Sequence, residues 1–212
     1  MQSTAASTKS QPHRVADLIR TRIVSGEFAP GEPLRQIPLS KEFGVAQTVV
    51  REALQLLDQN GLVSSAANVG FSVREMGKAE LLGAYQVREV LEGLAARLCC
   101  RTASRADVEW LEEVAHAIYK AKGKSNRDKR SELEHQFHHR FLKLSGNETL
   151  IRQSSGYRFV GDLVVTDRDP DKLLEEHLAI VQAVAANEPE KAERFAREHV
   201  AASAQSIREQ VI

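Results

Sequence analysis

Twelve residues constrain this chain most: Phe43-Gly44-Val45-Ala46-Gln47-Thr48-Val49-Val50-Arg51-Glu52-Ala53-Leu54. They read as the end of a short helix, a tight turn at Gly44 and the start of a second helix. Glycine suits such a turn because it reaches positive φ without steric cost. In the second helix Val50, Ala53, Leu54 and Leu57 recur at i, i+3, i+4 and i+7, the spacing of a buried stripe. Gln47, Thr48, Arg51 and Gln55 fall on another face, where they can hydrogen-bond. One packing face and one polar face near the helix start are what a helix-turn-helix needs to meet base edges. Two packed helices with a solvated outer face would show the same pattern.

The flanks narrow the choice. Upstream runs Ile23-Val24-Ser25-Gly26-Glu27-Phe28-Ala29-Pro30-Gly31-Glu32-Pro33-Leu34, and downstream Leu54-Gln55-Leu56-Leu57-Asp58-Gln59-Asn60-Gly61-Leu62-Val63. Over residues 13–75 the chain closely resembles the winged helix-turn-helix of GntR-type bacterial transcription regulators. The periodicity predicts helices at 13–25, 37–43 and 47–59, the first with Val15, Leu18, Ile19 and Ile23 on one stripe. Leu62-Val63 and Phe71-Ser72-Val73 read as a hairpin around residues 67–70. In the resembling family this wing touches the DNA backbone or minor groove, with a glycine where Gly70 stands. The family usually carries Ser-Arg-Thr-Pro where this chain has Ala46-Gln47-Thr48-Val49, and some members carry a DNA-contacting arginine at the position of Ile37. Gln47 can still read adenine through N6 and N7, without an arginine's charge. Arg51 matches the family contact, and Arg35 lies nearby but out of register. The resemblance therefore implies Arg35, Gln47, Thr48, Arg51 and Gly70 as the DNA-binding set, with an altered operator.

Charge gives little help. The 212 residues are formally neutral, and residues 1–75 hold eight Lys/Arg against seven Asp/Glu. That is weak for a nucleic-acid binder, so placement has to matter more than the sum. The two cysteines are the adjacent Cys99 and Cys100, which argues against a disulfide framework and for a reducing, cytoplasmic setting. No apolar run is long enough for a membrane span. Residues 1–12 lack an apolar signal core and read as a disordered tail.

Beyond residues 75–78 everything reads as helix: 79–101, 105–121, 129–145, 148–167, 171–186 and 189–210. The expected fold is mainly α, a winged helix-turn-helix with a small β-hairpin followed by an all-α, six-helix antiparallel bundle over 79–212. In the third bundle helix Leu133, Phe137, Phe141 and Leu144 form the core stripe. Glu134 and His138 sit on its flank one turn apart, while His135 and His139 turn toward water. His177 is in step with Leu174, Leu178, Val181 and Val184, and His199 with Ala192, Phe195, Ala196 and Ser203. Three histidines and a carboxylate therefore face one interior, where burial without partners would cost several kcal/mol. A divalent metal would satisfy them together, and this donor set does not separate zinc, nickel, manganese or iron(II). Histidines hydrogen-bonded to each other in a metal-free bundle used only for dimerisation are the alternative.

The run Ser131-Glu132-Leu133-Glu134-His135-Gln136-Phe137-His138-His139, followed by Leu144-Ser145-Gly146-Asn147, resembles the FCD effector domain of the FadR-type branch of these regulators. That pattern has D-x-x-F-H, then S-G-N, then one histidine on each of two later helices. The resemblance implies a metal at Glu134, His138, His177 and His199, with Glu134 standing where the family has aspartate. Family metals leave positions open for a small organic acid. Arg88 matches a family arginine that could clamp such a carboxylate in two parallel bonds, with Tyr85 lining the same pocket. An i,i+4 ion pair with Glu92 is the competing role for Arg88. The resulting expectation is a homodimeric regulator, since helix-turn-helix modules read paired half-sites. Its partners would be operator DNA and a small carboxylate effector. A metal-dependent enzyme is the rival from another class, but no additional base or nucleophile is evident.

Overall fold

The computed structural model describes residues 10–66, 69–123, 126–154, 157 and 168–209. The chain divides into two compact units, residues 1–75 and 76–212.

The first unit is built around α3 (Gln47–Gln59), whose Val50, Ala53, Leu54 and Leu57 are buried. This stripe packs on α1 (Gln11–Val24) and α2 (Gln36–Phe43). Gly44 caps α2 in the left-handed region at φ 64°, which turns the chain sharply into α3. Strands β1 (Val63–Ala66) and β2 (Gly70–Val73) pair antiparallel with Val63 opposite Val73. Residues 31–34 run along the other edge of β2. Leu34 N–H donates to Phe71 O at 2.8 Å and Gly31 N–H to Val73 O at 3.0 Å.

Two expectations for this unit need correction. The tail expected through residue 12 gives way to helix at Gln11, because Pro12 fits a helix's first turn, where no amide donor is needed. Residues 1–9 lie outside the described residues, as do residues 67–68 of the wing tip. Leu18 does not join the core: it is 52% exposed, displaced about a quarter turn from the buried Val15–Ile19–Ile23 line.

The second unit comprises α4 (Lys78–Cys99), α5 (Arg105–Lys120), α6 (Arg127–Leu144), α7 (Glu148–Ser154), α8 (Pro170–Ala185) and α9 (Pro189–Glu209). α4 and α9 form the most extensive pair, with α8 against α5 and α9. Small residues allow the close approach: Ala84, Ala95 and Ala96 on α4, and Ala192, Ala196 and Ala204 on α9, are all buried. Phe137, Leu111, Ile118 and Val181 fill the centre. Of the single helix expected over 148–167, α7 accounts for Glu148–Ser154; residues 155–156 and 158–167 lie outside the described residues. No described helix is long and apolar enough to cross a membrane.

Candidate metal centre and DNA-reading face

α6 sends Glu134 and His138 inward one turn apart, α8 contributes His177 and α9 His199. One donor atom from each of the four lies within 4.8 Å of the others. His177 is fully buried and His199 only 3% exposed. Oε2 of Glu134 stands 3.5 Å from Nε2 of both His138 and His177. The His177 ring lies tilted against the core residue Phe137, centroids 4.3 Å apart, and its centroid is 4.7 Å from that of His199.

Two carboxylates hold the outer sides of the imidazoles. Oε2 of Glu92, on α4, lies 2.8 Å from Nδ1 of His138. Oε2 of Glu176, on α8, lies 2.9 Å from Nδ1 of His199. An ionised carboxylate can only accept, so Nδ1 carries a proton in each ring, and Nε2 is the nitrogen left for a metal. Arg168 in turn donates to both oxygens of Glu176, at 2.5 and 2.7 Å. Neither ring nitrogen of His177 makes a hydrogen bond. A buried polar atom left so costs about 1–3 kcal/mol, which a cation at the convergence point would relieve. The donor set therefore fits a divalent metal: three nitrogens and one carboxylate oxygen, with the carboxylate–histidine support such sites use.

The electrostatics suit a dication at Glu134, His177 and His199, while His138 has to release a proton to bind one. Burial alone would raise Glu134, but the surrounding imidazoles, His177 first, outweigh it and hold the carboxyl down at about 2. Burial pushes His177 down to about 3 and lowers His199 as well, which keeps both neutral. Burial also opposes charge on His138, yet the facing Glu92 carboxylate and the hydrogen bonds to Glu134 and Glu92 raise it to about 9.

Arg88 takes the ion-pair role rather than standing open in the pocket. Its Nε–H donates to Glu92 Oε1 at 2.8 Å, and its guanidinium lies 4.8 Å above the buried Tyr85 ring. The cavity between Glu92, Phe137, His138, Phe141, Ile180 and His199 is about 10 Å3, room for roughly one water. His135 and His139 are not turned to water as expected; they are half-buried, stack on each other and stay outside the cluster.

In the first unit Gln47, Thr48 and Arg51 are exposed together at the start of α3. Gln47 donates its amide to Gln36 Oε1 at 3.3 Å. Arg35 is exposed at the N-cap of α2, and Gly70 opens β2 at φ 96°, also exposed. Ile37 is 57% exposed on α2.

Residues 12–73 match the description "Bacterial regulatory proteins, gntR family", and residues 83–202 match the FCD domain. The chain belongs to the GntR family of transcription regulators. Among its GntR relatives, the "Probable D-xylose utilization operon transcriptional repressor" of Paenarthrobacter nicotinovorans is 31% identical, covering 89% of this chain and 85% of that protein. The Nta operon transcriptional regulator of Aminobacter aminovorans is 29% identical, over 84% and 85%. The solved structure of E. coli McbR/YncC shares this GntR fold at a TM-score of 0.78 and 23% identity, covering 96% of this chain and 99% of that one. The Paenarthrobacter and Aminobacter relatives are named as regulators of transcription, and the chain is a DNA-binding regulator rather than an enzyme.

Proposed function

We propose that this regulator works in the cytoplasm as a homodimer whose operator affinity is set by a metal-held small carboxylate. Glu134, His138, His177 and His199 hold the divalent ion. Arg51, Gln47, Thr48 and Arg35, with the wing at Gly70, meet the operator. Three neutral imidazoles and one carboxylate leave a bound dication with one net positive charge, which draws an anion. The observation that carries this reading is the convergence of four donors within 4.8 Å, with His138 and His199 held from behind by Glu92 and Glu176.

The cavity beside the cluster has room for about one water, so an organic acid must part α4 from its neighbours to enter. α4 starts at Lys78, shortly after β2 ends at Val73, so its displacement can reach the DNA-reading unit along the chain. An effector that binds the parted state better shifts the operator-binding population. Arg88 and Tyr85 serve this site through Glu92; as a direct clamp Arg88 would have to leave its ion pair.

The test is fluorescence anisotropy on DNA from upstream of the protein's own gene, against a scrambled duplex, with elemental analysis of the same sample. A preference that survives higher salt, and that shifts with a small acid only in metal-loaded protein, is expected. Metal-free protein that cannot be loaded, yet binds the operator tightly, would overturn the metal-and-effector reading. It would leave the bundle as a dimerisation element.

A further inference from the structure

The first residues of α2 and α3 meet through their side chains. α2 opens at Gln36 and α3 at Gln47, and Gln47 Nε2 donates to Gln36 Oε1 at 3.3 Å. Gln36 is half-buried and Gln47 exposed, so the inner glutamine is the more confined of the two. The direction of this bond decides what Gln47 offers to a ligand. A glutamine amide carries two N–H donors and one acceptor oxygen. With one N–H given to Gln36, one donor and the oxygen are left. Neither has another partner among the described residues.

We infer that Gln36 is a positioning residue that turns the Gln47 amide to read adenine. The inference rests on the operator reading above and names the base that the start of α3 selects. In the major groove adenine presents N7 as an acceptor and N6 as a donor, whereas guanine presents two acceptors, N7 and O6. One donor beside one acceptor complements adenine and not guanine. Cytosine and thymine each offer a single polar group there, so neither takes both ends of the amide. Were the bond reversed, with Gln36 donating to Gln47 Oε1, both N–H groups of Gln47 would turn outward and guanine would be the match. Gln36 thus acts on base choice without touching a base. Holding the amide beforehand also spares part of the side-chain ordering that binding otherwise costs.

The experiment uses the full-length, metal-loaded protein and duplexes that it selects from a randomised pool. Anisotropy titrations with each base pair of the selected site exchanged in turn give the base preference at every position. They are run on wild type, Gln47→Ala, Gln36→Glu, Gln36→Lys, and Gln36→Lys combined with Gln47→Ala. One position per half-site should lose its preference in Gln47→Ala. There the wild type should favour adenine over guanine by about five-fold or more, the worth of a good bidentate contact. Gln36→Glu can only accept, so it should keep adenine even as its charge weakens binding to all duplexes alike. Gln36→Lys can only donate, so it should move the preference to guanine, and adding Gln47→Ala should abolish that move. A loss of folding would lower affinity without exchanging one base for another. The inference is overturned, with Arg51 left as a contact, by a wild type that favours guanine at this position. Adenine lost in Gln36→Glu, adenine kept in Gln36→Lys, or a guanine preference that survives Gln47→Ala would do the same, as would the absence of any position that depends on Gln47. A pool that yields no preferred duplex, or an Arg51→Ala protein that binds as tightly as wild type, removes the operator reading with it.

Discussion

The carboxylate of Glu176 stands 2.9 Å from Nδ1 of His199 and is gripped from its far side by Arg168. The neighbouring residue on the same helix, His177, points into the cluster itself. α8 thus supplies one donor and the support for a second donor on α9. If His199 binds the ion through Nε2, its basicity and aim depend on Glu176. Glu176→Gln keeps the shape and an acceptor oxygen but removes the charge. It should lower metal affinity about 10–100-fold, the usual cost of losing a carboxylate behind a ligating histidine. Arg168→Met should act in the same direction and less strongly. Competition against a chromophoric chelator reads both, and an unchanged affinity in Glu176→Gln would remove His199 from the ligand set.

Much of this site can be read along single helices. Glu134 and His138 are one turn apart on a flank of the Phe137 stripe, and His177 and His199 each interrupt an apolar stripe. Helical period alone turns all four inward, and the structure brings them together. Glu92 was within reach of the same reasoning, since it lies seven residues after the buried Tyr85 and four before Ala96, on the inward face of α4. Glu176 and Arg168 were not. Their pairing with His199 depends on how α8 and α9 cross, which no local pattern encodes. The same limit explains Leu18: a stripe two residues wide at 3.6 residues per turn does not say which edge the neighbouring helix will cover. The α3 boundaries were legible because Gly44 and Asn60-Gly61 bracket it chemically.

The proposed DNA-reading face offers two kinds of contact. Arg51 is exposed beside Gln47 and Thr48 at the start of α3 and carries the face's positive charge. Arg51→Ala should weaken binding to every operator variant and make the salt dependence shallower by about one counterion. Gln47 is neutral and already shares a hydrogen bond with Gln36, so Gln47→Ala should change which base is preferred with a smaller loss of overall affinity. Anisotropy titrations on a panel of single-base operator variants at several salt concentrations make the comparison. Equal affinity of wild type and Arg51→Ala would show that α3 does not face the DNA.

Acid should expose the cap of α5. Ser104 donates its hydroxyl and its amide to Asp107, at 2.6 and 2.9 Å, and accepts the Asp107 amide in return. Arg140 from α6 pairs with the same carboxylate. The Ser104 hydrogen bonds, first from the side chain and then the backbone, with Arg140 behind them, hold the Asp107 carboxyl below its ordinary range. A carboxyl lowered by folding contributes stability above its unfolded value of about 3.9, and that contribution is lost as pH falls through the folded value. Asp107→Ala should therefore destabilise the protein at neutral pH, because it removes the N3 half of the capping box and the partner of Arg140. The difference from wild type should shrink in acid. Urea unfolding of both proteins with chelator present, so that metal loss does not enter, measures it. A difference that stays constant into acid would mean the carboxylate's charge plays no part.

Gly93 and Gly83 lie on the same helix and should answer oppositely to alanine. A Cβ at Gly93 would come within 2.5 Å of Arg197 Cγ and 3.3 Å of the Glu193 carbonyl, on the face where α4 meets α9. The Arg197 stem can bend away, but it is held by its pair with Glu89 at 3.0 Å, and the Glu193 carbonyl is backbone. Overpacking of this kind costs about 1–3 kcal/mol, more than the 0.5–1 kcal/mol or so that alanine gains over glycine in a helix. Gly93→Ala should thus lower stability. Gly83→Ala, with open space at its Cβ, should raise it. Adding Arg197→Ala to Gly93→Ala should recover part of the loss, because the two side chains contend for one volume and their effects cannot add. Thermal and urea unfolding of the four proteins decides it. A Gly93→Ala protein as stable as Gly83→Ala would mean that α4 and α9 do not approach as closely as their small residues allow.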